Sequence, residues 1–524
     1  MFDINWELVA NQFDYIKESP MIFSSGIFLF LFLGFSLVYW ALGKADTIRI
    51  LFVTLFSYYF YFKSSGFFFC LLALVTVSDY FIAKAIQGQD KNAWAKTLVV
   101  LSLVLDLGLL VFFKYTNFLG EGICTLLQSC GIELSPTIRG TLDADVAWQV
   151  RDIFLPVGIS FFTFQSLSYT IDVYRGNIKP LSRLLDYAFY VSFFPQLVAG
   201  PIVRARDFIP QIRRPLSVTS EMFGSGVFFI IAGLFKKAVI SDYISVNFVE
   251  RVFDQPDLYS GIENLFAVYG YTLQIYCDFS GYSDMAIGIA LLLGFEFPKN
   301  FDSPYKSTSI TEFWRRWHIS LSSWLRDYLY ISLGGNRHGK VRQYFNLLMT
   351  MVLGGLWHGA SLNFILWGTL HGLFLCFDKI WHVLCGKYSP LTYMPSKKNP
   401  VIEKTPASRT VSIIGAIITF HMVAACWVLF RAKSFEIAGQ VFTQIFTKLQ
   451  PQIIGQWITS YWAVATLMLL GYVLHLTPAS WSAKARDIVT KTPLFVQAII
   501  IVIVIFIVVQ IKSSDVQPFI YFQF

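Results

Sequence analysis

Charged residues are scarce in this sequence. Only 14% of its 524 residues are Asp, Glu, Lys or Arg, whereas soluble domains carry roughly a quarter. Hydrophobic residues make up 55%, and the mean hydropathy is +0.56. This shortage of charge excludes an ordinary soluble protein and predicts one polytopic membrane domain, residues 1–524, embedded in a lipid bilayer. Basic cytoplasmic loops then explain the net charge of +8 better than nucleic-acid binding does.

Cysteine is sparse and irregularly placed. The seven cysteines form no CxxC pair and no His-rich pattern, so we expect no metal site. Cys124 and Cys130 share a predicted loop, which makes them the one pair that a disulfide could join. No short basic start of a cleavable signal peptide is evident, so we expect the first apolar run, 22–42, to remain as the first span.

Long apolar runs recur from one end of the chain to the other. They predict an all-α protein of about 11–12 transmembrane helices, because each run can cross the ~30 Å hydrocarbon core of a bilayer. The predicted spans are 22–42, 50–66, 67–86, 97–117, 152–171, 223–242, 264–294, 343–359, 361–384, 411–431, 457–476 and 495–511.

Basic clusters set the predicted orientation of these spans. We expect six Lys/Arg-rich segments to face the cytoplasm: 84–96, 175–183, 204–214, 315–342, 397–409 and 484–491. The apolar segment 184–201 has Arg183 before it and Arg204 after it, so both of its ends favour the same side. Pro195 and Pro201 supply breaks, which favours a re-entrant hairpin beside a central tunnel.

His358 is the first catalytic candidate, because it stands in Gly354-Gly355-Leu356-Trp357-His358-Gly359 within a predicted span. Ionisable groups at that depth are costly and usually functional. A neutral imidazole can take a proton from an alcohol that attacks a thioester, while Trp357 walls the pocket and the glycines allow close approach. The alternative is a structural histidine that links packed helices.

His318 is the second candidate, within the segment 313–320. A continuous interfacial helix would put Trp314, His318, Leu321 and Leu325 on one face, with Arg316, Ser323 and Asp327 largely elsewhere. The histidine would then lie on the apolar side, where it could assist proton transfer. It could equally sit in a packing layer and hydrogen-bond a carbonyl.

Further polar residues surround these candidates in the sequence. Asp278 and Asp284 lie in a predicted span, so we expect hydrogen bonds or a cationic partner for each, either in a structural network or in a substrate site. Arg315 and Arg316 open a basic region that could bind phosphates of an acyl donor or anionic lipid headgroups.

Six runs together resemble the membrane-bound O-acyltransferase (MBOAT) family, in particular its bacterial alginate O-acetylation branch. The runs are 155–161, 194–202, 278–285, 300–305, 314–320 and 354–361, and the similar region is an MBOAT-like core at 155–371. Residues 518–524 also resemble the ending of this branch. By this resemblance, His358 corresponds to the invariant histidine of the family, and His318 to an upstream polar position that is histidine in this branch.

The resemblance implies an O-acyltransferase of the bacterial cytoplasmic (inner) membrane. It would pass an acyl group, acetyl in this branch, from a cytoplasmic thioester donor toward hydroxyls of an extracytoplasmic polysaccharide. The donor would be acetyl-CoA or an acylated carrier protein, with no bound cofactor, and an extracytoplasmic acyltransferase or esterase-like partner would complete transfer. Trp314, Trp317 and Trp357 would shape the tunnel, and Asp278 and Asp284 would brace it.

Three other functions remain open at this point. Related systems transfer D-alanine from a carrier protein to teichoic acid. A proton-coupled transporter of a polymer precursor could use the histidines as a proton relay, and proton-dependent flux without acyl transfer would favour it. A non-catalytic scaffold would keep its complexes after both histidines are replaced.

Overall fold

The computed structural model describes residues 13–16, 20–43, 45–88, 92–132, 155–385 and 406–511. Within these residues the chain forms helices and no strand, and several helices are apolar and long enough to cross a bilayer. The prediction of an all-α polytopic membrane protein is therefore confirmed. The segments 397–405 and 518–524, which carry a basic cluster and the ending noted above, lie outside the described residues.

The described residues group into two compact units, of which the first holds the chain up to Ser217. Its core is rich in phenylalanine, and the ring of Phe194 lies 5.1 to 6.3 Å from those of six other phenylalanines. Its helices are α1 (Gly26–Ala41), α2 (Asp46–Ser65), α3 (Phe69–Ile86), α4 (Ala93–Ser129), α5 (Ile159–Arg175), α6 (Leu184–Ser192), α7 (Phe194–Leu197) and α8 (Ala205–Ile212).

The segment predicted as a hairpin forms two short helices, α6 and α7, that break at Phe193. The nine residues of α6 reach only about 14 Å, which is too short to cross a bilayer. Pro195 lies in the first turn of α7, where its missing N–H costs nothing, and the amide of Phe194 donates instead to Ser57 Oγ at 3.2 Å. The segment is thus buried and interrupted, and it does not cross the bilayer as a single helix.

Cys124 and Cys130, the pair that the sequence left open for a disulfide, are not bonded to each other. Both residues are free thiols. Cys124 lies inside α4 rather than in a loop, with its side chain buried, whereas Cys130 caps the end of that helix and is exposed. The predicted span 97–117 is shorter than the helix itself, which continues to Ser129.

The second compact unit comprises most of the chain from Val218 onward. Its longest helix begins with a capping box formed by Ser260 and Glu263 and matches the predicted span 264–294. Its α-helices are α9 (Ser220–Leu234), α10 (Asp242–Ile244), α11 (Glu250–Asp254), α12 (Gly261–Leu292), α13 (Ile310–Arg316), α14 (Ile319–Trp324), α15 (Gly339–His358), α16 (Leu362–Cys385), α17 (Pro406–Arg431), α18 (Phe435–Thr447), α19 (Ile454–Ser460), α20 (Trp462–Leu476), α21 (Ala479–Lys491) and α22 (Leu494–Ile511).

Four continuous helical stretches in the described residues are long and apolar enough to span a membrane: Asp46–Ile86, Ala93–Ser129, Ser220–Asp254 and Thr410–Arg431. Two bent pairs, α19 with α20 at 99° and α21 with α22 at 120°, raise the number to six if each is one broken span. The stretch Asp46–Ile86 contains two predicted spans separated by a turn at Gly66, whose φ is +61°. The total of about 11–12 crossings remains a prediction.

Candidate active site

His358 is the last residue of α15 and is only 4% exposed. Aromatic rings surround its imidazole, whose centroid lies 5.0 Å from Trp357, 5.1 Å from Trp367 and 5.2 Å from Phe430. These rings come from α15, α16 and α17 respectively. The sequence therefore places a titratable group in an apolar setting that three helices build together.

Close approach between α15 and α16 fixes the position of His358. A Cβ atom on Gly355 would overlap the carbonyl oxygen of Phe364, and one on Gly368 would overlap that of Met351. By contrast, a Cβ on Gly354 would meet only a side-chain methyl of Leu325 at 3.2 Å. Gly355 thus permits backbone contact between the helices, as predicted for this glycine-rich run.

The predicted continuous helix through His318 is wrong. Helix α13 ends at Arg316, Trp317 is extended, and His318 is left-handed at φ 43° and ψ 56° before α14 starts at Ile319. Asn300 explains the break, because its main-chain carbonyl accepts the N–H of Ile319 at 2.9 Å in place of an intrahelical hydrogen bond. A left-handed histidine is energetically unfavourable and is characteristic of functional sites.

Asn300 also determines which nitrogen of His318 carries the proton. Its Oδ1 accepts from the backbone N–H of Ser320 at 3.3 Å, while its Nδ2 donates to Ser283 Oγ at 3.1 Å. Because a backbone N–H can only donate, the amide orientation is fixed, and Nδ1 of His318, 3.2 Å from the same Oδ1, must donate. In the neutral ring the lone pair then lies on Nε2.

Burial controls the charge of His318. The side chain is fully buried, and this desolvation lowers its pKa from 6.5 to about 3. The imidazole is therefore neutral at physiological pH. Its ring packs on Phe279 at 4.5 Å and on Phe301 at 6.4 Å.

Trp357 contacts both predicted catalytic histidines. Its ring centroid lies 6.3 Å from that of His318 and 5.0 Å from that of His358. Trp317, which we also predicted to shape the site, is 1% exposed and packs on Trp427 at 5.0 Å and Phe301 at 5.1 Å. The structure thus brings the two histidines to one aromatic cluster.

Sequence reasoning did not select His371, which belongs to the same cluster. It is fully buried on α16, one turn after Trp367, with the two ring centroids 4.7 Å apart. Its Nδ1 lies 3.3 Å from the indole Nε1 of Trp314. The available signal was a histidine four residues after a tryptophan inside an apolar span.

Asp278 and Asp284 each have the cationic partner that we expected. Lys237 lies 2.6 Å from Asp278 and 2.7 Å from Asp242, and Lys236 lies 2.6 Å from Asp284. The two lysines are adjacent on a π-helical segment, Phe235–Ser241, which continues α9. This ion-pair network joins that segment to α12. Whether these carboxylates contact substrate stays a prediction.

A cavity of about 410 Å³ lies beside the cluster. Trp314 and Arg315 line it, whereas Arg316 instead pairs with Glu312 at 2.8 Å. Arg326, which also pairs with Asp327 at 2.7 Å, and Lys379 add further basic groups to its lining, together with several hydroxyl groups: Thr311, Ser322, Ser323, Tyr330 and Thr350. The cavity therefore offers an environment suited to an anionic, partly apolar molecule.

This arrangement of buried histidines, aromatic rings and a basic cavity agrees with the result of sequence comparison. The model of MBOAT, the membrane-bound O-acyltransferase family, matches residues 58–400, which include the predicted core 155–371. The chain belongs to the membrane-bound O-acyltransferase family. It is therefore an O-acyltransferase.

Several proteins are similar in sequence to this chain over more than half of its length. A protein named "Probable alginate O-acetylase AlgI" from Azotobacter vinelandii is 36% identical, covering 96% of this chain and 100% of the relative. A peptidoglycan O-acetyltransferase from Helicobacter pylori is 34% identical, covering 83% and 81%. A teichoic acid D-alanyltransferase from Bacillus subtilis is more distant, at 29% identity over 53% of this O-acyltransferase and 69% of the relative.

Proposed function

We propose that this protein transfers an acetyl group from a cytoplasmic thioester donor toward hydroxyl groups of an extracytoplasmic polysaccharide. The observation that carries the proposal is the pair of buried histidines, His358 and His318, that both contact Trp357. Similarity to proteins named for alginate and peptidoglycan O-acetylation supports acetyl as the group and a polysaccharide as the acceptor.

His358 acts as the general base in this proposal. It takes the proton of the acceptor hydroxyl while the hydroxyl oxygen attacks the thioester carbonyl carbon. A C–O bond forms, the C–S bond breaks, and the proton passes to the departing thiolate. The products are an O-ester and a free thiol, so no oxidant, reductant or metal is needed.

His318 assists as a second proton-transfer or positioning group. Its tautomer is supported by Asn300, which leaves the Nε2 lone pair as the acceptor, and burial keeps the ring neutral. The left-handed backbone at His318 supports a functional role, because such strain persists where the surrounding structure enforces a particular geometry.

The aromatic surroundings serve to exclude water. Rings from three helices pack against His358. Trp317, which follows the last residue of α13, packs against Trp427 in the same cluster. Limited water access slows hydrolysis of the thioester relative to transfer. Asp278 and Asp284 contribute by bracing α12 through their lysine partners.

The basic cavity is the proposed donor site. Acetyl-CoA and an acylated carrier protein share a phosphopantetheine arm, whose phosphate would interact with Arg315, Arg326 or Lys379. The wall residue Trp314 packs on Trp367 at 5.8 Å, and Trp367 packs on His358, so the cavity adjoins the proposed base. Arg316 remains a further predicted contact of the donor.

The acetyl proposal includes a cellular setting. The protein lies in the bacterial cytoplasmic (inner) membrane, where the donor arrives from inside and a separate extracytoplasmic acyltransferase or esterase-like partner completes transfer to the polymer. The multi-pass character of the chain and the named acceptors of its relatives support this arrangement.

The test supplies two donors to the same protein. Membranes from cells that contain the extracytoplasmic partner receive radiolabelled acetyl-CoA or acetylated carrier protein on their cytoplasmic face, and base-labile label is measured in added alginate and peptidoglycan fragments. We expect label with one of the two donors. Arg326→Gln should raise the KM for that donor, whereas Arg251→Gln, at an exposed arginine outside the cavity, should leave the KM unchanged. Transfer of D-alanine alone, or no ester with any donor, would contradict the acetyl proposal.

A further inference from the structure

One contact connects the wall of the cavity to a histidine that the proposed mechanism does not use. The indole Nε1 of Trp314 lies 3.3 Å from Nδ1 of His371. An indole N–H can only donate, so Nδ1 of His371 accepts this hydrogen bond and must be unprotonated. The contact therefore requires the neutral imidazole with its proton on Nε2.

His371 itself is not among the residues that line the cavity, whereas Trp314 is. His371 is 0% exposed and is enclosed by rings, with centroids 4.7 Å from Trp367, 5.3 Å from Trp314 and 6.2 Å from Phe313. It can therefore influence a molecule in the cavity only through a neighbouring side chain. Of these three rings, that of Trp314 lines the cavity.

Ring packing, which includes Phe313 at 5.7 Å, and one hydrogen bond determine the orientation of the Trp314 ring. The ring packs edge-on against Trp367 at 5.8 Å and 73°, and its N–H points to His371. Packing alone leaves an indole free to flip or tilt, whereas a hydrogen bond to a buried acceptor selects one orientation.

We infer that His371 is a positioning residue, whose Nδ1 holds the Trp314 indole in the orientation that shapes the donor cavity. This inference rests on the proposed function in one respect, namely that the cavity receives the thioester donor. It predicts that His371 influences donor binding more than the chemical step, because the residue contacts the cavity wall and not the reacting atoms.

The kinetic test uses replacements that differ in one acceptor atom. In His371→Asn, the amide oxygen can take the place of Nδ1, whereas His371→Leu has no acceptor. Loss of one hydrogen bond predicts that His371→Leu raises the donor KM about fivefold to tenfold with kcat within about twofold. His371→Asn should restore most of the wild-type KM, and His421→Leu, at an exposed histidine, should leave it unchanged.

Trp314→Phe completes a double-mutant cycle, because it keeps an aromatic ring but removes the donor N–H. We expect it to raise the donor KM as His371→Leu does, and the double variant to show no additional increase. Equal effects of His371→Leu in the presence and absence of the indole N–H would overturn the inference. So would a loss of kcat with unchanged KM in both His371 variants.

A spectroscopic readout separates this inference from the proposed function. One ultraviolet resonance Raman band reports indole hydrogen bonding, and the Trp314 contribution is the spectrum of each protein minus that of the same protein carrying Trp314→Phe. This band should shift in His371→Leu and return to its wild-type position in His371→Asn. An unshifted band overturns the inference even if acetyl transfer is active. If the band shifts in His371→Leu but the wild-type protein transfers no acetyl group, the contact between Trp314 and His371 stands and the proposed function is contradicted instead.

Discussion

Oδ1 of Asn300 lies 3.2 Å from Nδ1 of His318 and also accepts the backbone N–H of Ser320 at 3.3 Å. Through Oδ1, Asn300 selects the His318 tautomer, and through its main-chain carbonyl, which accepts the N–H of Ile319 at 2.9 Å, it stabilises the break between α13 and α14. Two features that look unrelated in the sequence, a helix interruption and a proton position, therefore have a common cause.

Replacement of Asn300 tests the role of this tautomer. Asn300→Ala leaves Nδ1 without its fixed acceptor, and the loss of one hydrogen bond corresponds to about a fivefold to tenfold effect. We expect kcat for acyl transfer per folded protein to fall in that range. Asn264→Ala removes another buried asparagine with backbone partners and should leave kcat unchanged. Equal activity of the two variants would remove Asn300 from the mechanism.

Stability should depend on pH through His318. Its pKa in the folded protein, about 3, lies below its unfolded value of about 6.5, so the unfolded chain binds the extra proton first. The stability associated with neutral His318 is complete above pH 6.5 and decreases by up to about 1.4 kcal/mol per pH unit as the pH falls toward 3. His318→Gln should therefore lose less thermal stability than wild type between pH 7 and pH 5. Parallel curves would contradict the assignment.

Lys237 should be much more important for stability than an exposed lysine in a similar pair. It is 2% exposed and lies between the buried Asp278 and the partly exposed Asp242, so Lys237→Met leaves the carboxylate of Asp278 buried without its cation, at a cost of about 3–5 kcal/mol. Lys433 forms an exposed pair with Asp254, and Lys433→Met should cost at most about 1 kcal/mol. Denaturation in detergent compares the two, and similar losses would mean that the buried network is not stabilising.

Adjacent glycines offer a matched test of the packing beneath His358. Gly355→Ala places a methyl group against the backbone carbonyl of Phe364, whereas Gly354→Ala meets only the movable side chain of Leu325. We expect Gly355→Ala to cost about 1–3 kcal/mol and to reduce activity by displacing α16. Gly354→Ala should behave nearly as wild type. The reverse order in a thermal-shift and activity comparison would show that the two helices do not pack through Gly355.

The class of fold was predictable because apolar length is a property of a contiguous segment. The long helix α12 and the helix α15 that ends at His358 follow directly from such segments. The extension of α4 to Ser129 and the bends between α19 and α20 did not, because helix length beyond a bilayer and bending depend on packing rather than on hydropathy.

The prediction at His318 shows a different limit. Helical periodicity put this residue on the apolar face of a continuous helix, and burial was indeed correct. The backbone instead breaks there, because Asn300, eighteen positions earlier, supplies acceptors that a local pattern does not contain. For the same reason, the contact between Trp314 and His371, 57 positions apart, could not be found from spacing alone.

Donor-dependent ester formation by His358→Ala tests whether His358 is the base for acyl transfer. The variant is compared with wild type and with His421→Ala, at an exposed histidine, in membranes that contain the extracytoplasmic partner and equal amounts of folded protein. We predict that His358→Ala lowers kcat by about 10²–10⁴-fold, as expected for loss of a general base, while His421→Ala retains activity. Wild-type ester formation by His358→Ala would show that His358 is not the base.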